Sequence, residues 1–367
     1  MSFDFAVIGA GIAGASIAAH LARHGRVLLI EAERTAGYHT TGRSAAFWEE
    51  TYGGPGVQPL THASHGFLAA PPAEFAETGF LRPRGALYLA RAEELAALDD
   101  FAATYMGQGV PLVRLDRAAM EGRVPELGRQ WAAGVLNPGC CDIDVAGLHA
   151  AYLRQARRHG AEARLGVRLV KAERKGSGWR IEAGADSVEA GLLVNAAGAW
   201  ADDVAAIAGV ARKGIGPLRR TMVQARLNRP LPDAMPLTLA LDGSFYVKPE
   251  GGARVWLTPQ DEHPATPGDV AAEEADVALA IARVEAAFGW RVEAVERRWA
   301  GLRSFAADRL PVIGPDPSEP RFFWFAGQGG FGIQAAPAAA MLAEALITGQ
   351  PPPEGLAPAT FRPDRFA

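Results

Sequence analysis

The chain has 367 residues, 49% apolar and 21% charged, a balance that excludes a disordered polymer. Lys and Arg number 37 against 41 Asp and Glu, a formal charge of −4. That argues against nucleic-acid or polybasic membrane binding, which rests on a basic surface. The two cysteines are adjacent, Cys140 and Cys141, which suits neither a disulfide framework nor a structural zinc and fits a reducing, cytoplasmic setting.

The length calls for two domains. Phe3 to Ile8 reads as a short buried strand, and Gly9-Ala10-Gly11-Ile12-Ala13-Gly14 then matches G-x-G-x-x-G. Ala15 to His24 continues as a helix ended by Gly25, and Arg26 to Ile30 is a second strand closed by Glu31. Strand, glycine turn, helix, strand and terminal acid in that order form the dinucleotide fingerprint. Gly9 permits the turn, Gly11 lets a pyrophosphate approach the backbone, and Gly14 brings helix and sheet close. The helix N-terminus offers free N–H groups to the phosphates. Glu31 suits a ribose without a 2′-phosphate. The stretch Phe5 to Ala19 is apolar, but Asp4 precedes it where a secretory leader is basic. No run long enough to span a bilayer is expected.

Tyr38 to Ala46 reads as a small polar loop able to cover a pyrophosphate and reach a second ring system. Ala86 to Ala90 reads as a strand and Glu93 to Met106 as an amphipathic helix. Asp142 and Asp144 have no histidine at ligand spacing, so they are expected to cap a helix starting near Val145 rather than hold a metal. No metal site is expected anywhere, and His62, His65 and His263 have no evident partner. Two strands, Val167 to Glu173 and Trp179 to Ala183, precede a buried strand from Gly191 that ends in small residues. Further strands are expected at Thr221–Leu227, Ser244–Lys248 and Ala253–Leu257, a helix at Ala272–Phe288, and a short strand at Gly301–Phe305. Phe322 to Ala326 is a strand, Gly327 to Gly332 a second glycine turn, and Ile333 to Ile347 a helix. Glycine turns at both ends of the chain suit an elongated ligand, and FAD is one.

Three segments then carry a resemblance: Val194-Asn195-Ala196-Ala197-Gly198-Ala199-Trp200, Trp299-Ala300-Gly301-Leu302-Arg303 and Gly327 to Ile333. With the first glycine turn, they make the chain resemble the D-amino-acid oxidase superfamily of FAD-dependent oxidoreductases, over nearly its whole length. Tyr38–Ala46, Asp142–Asp144, Ser244–Pro249 and Gln328–Gln334 are most similar to bacterial D-amino-acid dehydrogenases of the D-arginine dehydrogenase type. The resemblance implies an α/β fold: a Rossmann-like FAD-binding domain with a discontinuous α+β substrate domain on a mostly antiparallel sheet. The FAD domain would take 1–80, 142–215 and 305–367, and the substrate domain 81–141 and 216–304.

It implies non-covalent FAD held by Gly9, Gly11, Ala13, Gly14, Glu31 and Ala32. Thr40, Thr41, Gly42, Arg43, Ser44, Ala45 and Ala46 would line the pyrophosphate and flavin. Leu169 would meet the adenine, Gly198 would lie beside the nucleotide, and Gly329, Gly330, Phe331, Gly332, Ile333 and Gln334 would close over the flavin edge. Tyr52, Arg220, Tyr246, Arg303 and Gly330 would surround the substrate, with Tyr52 as a mobile lid. A carboxylate in a water-poor site needs Arg, whose fork pairs bidentately and keeps its charge; Arg303 and Arg220 fill that role.

The chain departs from relatives that prefer cationic substrates. Ala86 stands where they carry Glu, and Phe47 where the relative carries His. The activity implied is oxidation of a neutral or apolar D-amino acid to an imino acid, then a 2-oxo acid and ammonia. The electron acceptor would be a quinone, a dye-like acceptor or oxygen, in the cytoplasm with peripheral membrane association left open. The alternatives are a glycine- or sarcosine-type amine oxidase producing hydrogen peroxide, and a flavin-binding subunit without turnover.

Overall fold

The computed structural model describes residues 2–366. Strand β1 (Ser2–Ile8) is central in an eight-stranded sheet. Its run of apolar residues follows from burial on both faces, as in parallel sheets covered by helices. It pairs in parallel with β2 (Val27–Glu31) on one side and Asp186–Asn195 on the other. Glu162–Leu165 extends the parallel set beyond β2. On the edge away from β1, the strand Asp186–Asn195 is divided between two partners. Its first half takes the antiparallel strand Gly178–Ala183, and its end takes Phe322–Ala326 in parallel.

Helices cover both faces of this sheet. On one face, α1 (Ile12–Leu21), Val145–Arg158 and Ala336–Thr348 share a core with Val7, Leu29, Val194 and Phe323. On the other, Ala201, Val204 and Ala205 pack with Leu28, Trp179 and Trp324. This is the Rossmann-like half of the expected α/β class.

The second sheet has ten strands and is antiparallel except where Ala86–Arg91 meets Leu237–Ala240. Its spine is the long pair Gly216–Leu227 and Val292–Phe305. Helix Glu274–Ala287 covers it through Val277, Ala280 and Val284, against Val223, Val247 and Leu257. A third sheet of three strands, Phe47–Trp48, Cys141–Ile143 and Leu81–Pro83, spans the expected domain boundaries at 80/81 and 141/142.

Several expectations shift. α1 starts at Ile12 and stops at Leu21 instead of running to His24, since 22–25 form the turn into β2. The last helix begins at Ala336 rather than Ile333, with Pro337 in its first turn, where a missing N–H costs nothing. Arg220 lies inside a strand rather than at its start. Asp144 caps its helix by accepting from the Gly147 N–H at 2.9 Å, but Asp142 does not cap; it takes Arg84 and Lys248. His62 pairs with Glu50 and His263 with Asp276. Among the described residues no helix is long and apolar enough to cross a membrane.

Candidate active site

One continuous cleft runs from the first glycine turn to the spine of the second sheet. At its first end, Gly9 has φ 100°, and a side chain there would meet the Ala196 carbonyl at 2.5 Å. A Cβ on Gly14 would stand 1.7 Å from the Gly9 carbonyl, so helix and turn touch backbone to backbone. α1 opens on the cleft without a side-chain cap at Gly11. Thr41 Oγ1 accepts from the Ile12 N–H at 2.9 Å.

Glu31 lines the cleft beside Ala32. Its Oε2 accepts from the Ala10 N–H at 2.7 Å and its Oε1 from the Glu33 N–H at 2.8 Å. Each oxygen keeps a further lone pair for a ribose hydroxyl. His149 went unseen in the sequence. Its Nε2 lies 2.9 Å from the Ala10 carbonyl. Burial lowers its pKa, so the neutral ring donates there and braces the turn.

The loop after Tyr38 is tied to the second sheet. Thr40 Oγ1 donates to the Leu302 carbonyl, Arg43 donates to the Ala300 carbonyl at 3.0 Å and pairs with Asp269, and Trp299 Nε1 donates to the Arg43 carbonyl at 2.8 Å. The Arg43 guanidinium is therefore engaged by protein. The cleft is lined by Gly9, Gly11, Ala13, Thr40, Thr41, Arg43 to Ala46, Leu169, Gly198, Gly329, Gly330, Gly332, Ile333 and Gln334. Three expected residues stand outside its lining. Gly14 is buried against the turn, Gly42 closes its loop by donating to the Gly37 carbonyl, and Phe331 packs on Val57 and Phe305.

At the other end stand Arg220 and Arg303. In the sheet register Arg220 faces Gly301 and Leu218 faces Arg303, so the two arginines are diagonal neighbours on one face. Both are more than nine-tenths buried and line the cleft. Arg303 donates to the Tyr52 hydroxyl at 3.4 Å and to the Glu262 carboxylate. Burial opposes ionisation of Tyr52, but Arg303 and Arg220 outweigh it and hold its pKa below the usual phenol value. Tyr246 is pushed up by burial and donates to the Met222 sulfur at 3.3 Å, not to a charged group. Tyr52 and Tyr246 both meet Phe47 edge-on. Ala86 is buried in the same apolar cluster as Phe47 and Tyr246 and does not line the cleft.

The carbonyl of Tyr52, the expected mobile lid, accepts from Gln334 Nε2 at 3.1 Å. Behind it, Glu49 is fully buried, and burial raises its pKa although Thr51 and Asn137 donate to it. Neither Glu49 nor Glu262 carries a motif that singles it out; Asn137 reaches Glu49 and Arg303 reaches Glu262 from far along the chain. Asp261, His263 and Asp276 come within 4.8 Å of one another, but Arg219, 2.8 Å from Asp276, already supplies a cation there.

A helix N-terminus facing the cleft, a glycine turn and a terminal acid at one end suit a dinucleotide. Two buried arginines at the other suit a carboxylate. The chain belongs to the DAO family, described as FAD dependent oxidoreductase, whose model matches residues 4–346. It is therefore a flavin oxidoreductase with FAD as its cofactor. Glycine oxidase of Geobacillus kaustophilus is 26% identical over 360 residues, covering 94% of this chain and 93% of that protein. Its crystal structure superposes with a TM-score of 0.86 at 24% identity, covering 98% of both chains. L-proline dehydrogenase of P. horikoshii has a TM-score of 0.85 at 21% identity, covering 99% of this chain and 97% of that one. Mitochondrial dimethylglycine dehydrogenase of Rattus norvegicus is 26% identical over 94% of this chain, which spans 43% of that protein's length.

Proposed function

We propose that this protein oxidises the Cα–N bond of a D-amino acid with a neutral or apolar side chain. The observation that carries this is the pairing of buried Arg303 and Arg220 with an apolar wall of Phe47, Met222 and Tyr246. The guanidinium fork of Arg303 binds the substrate carboxylate and fixes which hydrogen faces the cofactor. The wall of Phe47 and Tyr246 offers no charge to a cationic side chain. Both aromatic rings and Gly330 exclude water from the reacting carbon. Bound FAD supplies the two-electron oxidation. The amine enters neutral, and the imino acid leaves and is hydrolysed by water to a 2-oxo acid and ammonia. A quinone, a dye-like acceptor or oxygen regenerates the cofactor.

In this reading the eight-stranded sheet carries the cofactor and the ten-stranded sheet the substrate. The segments Tyr38–Ala46 and Gln328–Gln334 favour the D-arginine dehydrogenase type with a changed side-chain preference, acting in the cytoplasm.

A second reading is a glycine- or sarcosine-type amine oxidase. Its support is the glycine oxidase and dimethylglycine dehydrogenase relatives and the closeness of Phe47 to both tyrosines. Anaerobic bleaching of the purified protein by D-alanine, D-leucine, D-arginine, glycine, sarcosine and L-proline separates the two. Fastest bleaching by D-alanine or D-leucine supports the first reading, and by glycine or sarcosine the second. A protein that stays yellow with all six refutes both.

A further inference from the structure

Glu262 is a carboxylate that the proposed reaction leaves without a task. Its Oε1 accepts from Arg303 Nη2 at 2.5 Å and from Arg309 Nη2 at 2.8 Å, and lies 3.5 Å from Arg220 Nη2. Its Oε2 accepts from Arg309 Nη1 at 3.1 Å. The fork expected to take a substrate carboxylate thus already holds one belonging to the protein. Arg303 Nε is buried and without a partner among the described residues.

The backbone under Glu262 is fixed. Asp261 accepts from the Thr221 N–H at 2.7 Å and the Thr221 hydroxyl at 3.0 Å. The Asp261 carbonyl accepts from Arg220 Nε at 2.9 Å. The Glu262 side chain is more open than the arginines it holds in the cleft. It is one-third exposed, whereas the Arg303 and Arg220 side chains are 10% and 8% exposed. Its way out leads to Arg309, which is half exposed and presents two N–H groups.

Resting on the carboxylate-binding role of Arg303, we propose that Glu262 competes with the substrate carboxylate for Arg303, and that Arg309 holds it when the substrate wins. Glu262 then sets substrate affinity without touching the reacting atoms. Two carboxylates at one guanidinium repel each other, and each hydrogen bond to a charged group contributes appreciably. Arg309 and Arg303 outweigh the burial of Glu262 and keep its carboxyl below the usual range, so the competitor stays ionised near neutral pH.

The test uses the full FAD-loaded protein and sodium acetate, a carboxylate with no amine to oxidise, with binding read by calorimetry. Glu262→Gln is expected to tighten acetate about tenfold and to lower the KM for the best amino acid similarly, with kcat unchanged. Arg309→Gln is expected to do the reverse, because Glu262 loses its alternative partner. Glu262→Asp, which keeps the charge on a shorter arm, should fall between wild type and Glu262→Gln. Acetate that binds Glu262→Gln no better than wild type overturns the proposal, as does weaker binding, which would mark Glu262 as a residue that merely orients Arg303. An Arg303→Gln control separates the layers. Acetate binding that needs Arg303 but ignores Glu262 overturns this inference alone. Acetate binding that survives Arg303→Gln, or fails in every form, overturns the carboxylate site as well.

Discussion

Gln334 and Tyr52 are joined across 282 positions of sequence by a hydrogen bond from the amide nitrogen of one to the carbonyl of the other, at 3.1 Å. The same Gln334 accepts from the Glu49 N–H at 3.0 Å and donates to Thr61. The C-terminal glycine loop, expected at the flavin edge, therefore also positions the tyrosine beside Arg303. Gln334→Ala should loosen both ends together, weakening FAD retention and raising KM. Flavin content after dialysis and steady-state kinetics measure the two, and a change in neither would falsify the link.

Arg303→Ala is expected to raise the substrate KM by roughly 10- to 150-fold, the worth of a lost charged hydrogen bond. FAD should stay bound, because the glycine turn and Glu31 lie at the other end of the cleft. The visible spectrum and steady-state constants check this. Unchanged constants refute the role given to Arg303.

A methyl group on Gly330 would stand 2.9 Å from Arg303 Nη1 and 3.4 Å from the Tyr52 hydroxyl. Gly330→Ala should therefore crowd the carboxylate position while the protein folds and stays yellow. We expect KM to rise by about tenfold or more. A variant with wild-type KM would show that substrate does not approach this glycine.

Phe47 meets both Tyr52 and Tyr246 edge-on and limits the side-chain space. Phe47→Ala should shift preference from D-alanine toward D-leucine by roughly 10- to 200-fold in kcat/KM, the usual range for size discrimination in an apolar pocket. A ratio that does not move places the substrate side chain elsewhere.

Glu344 on the last helix takes both His20 of the first helix and His24 of the turn that follows it. Burial opposes its ionisation, but the two histidines outweigh that and hold its pKa down at about 2. A depressed carboxylate pKa stabilises the fold above the unfolded-state value and stops doing so as pH falls through the folded one. Glu344→Gln should cost about 1 kcal/mol near pH 6, with the gap to wild type closing as the pH drops from 4.5 toward 2. Urea unfolding at several pH values measures it, and a gap that widens in acid contradicts the assignment.

Contiguous features were legible in the sequence. The first glycine turn, its flanking strands and Glu31 are set by neighbours in the chain, since turn geometry, strand burial and capping act over a few residues. The same holds for Asp144 as a cap. Helix ends were less legible: Pro337 belongs to a first turn, and its meaning depends on where the glycine loop lets the helix begin. Arg303 and Tyr246 were picked out by family resemblance, not by periodicity.

Only the tertiary structure decided which charges meet. Glu262 reaches Arg303 across 41 positions, and Glu49 reaches Asn137 across 88. Sheet register sets Arg220 diagonal to Arg303. An isolated acid looks the same in sequence whether it is solvated, buried or paired with an arginine. Its environment is built by strands that become neighbours only when the sheets form, and that environment gives it its chemistry.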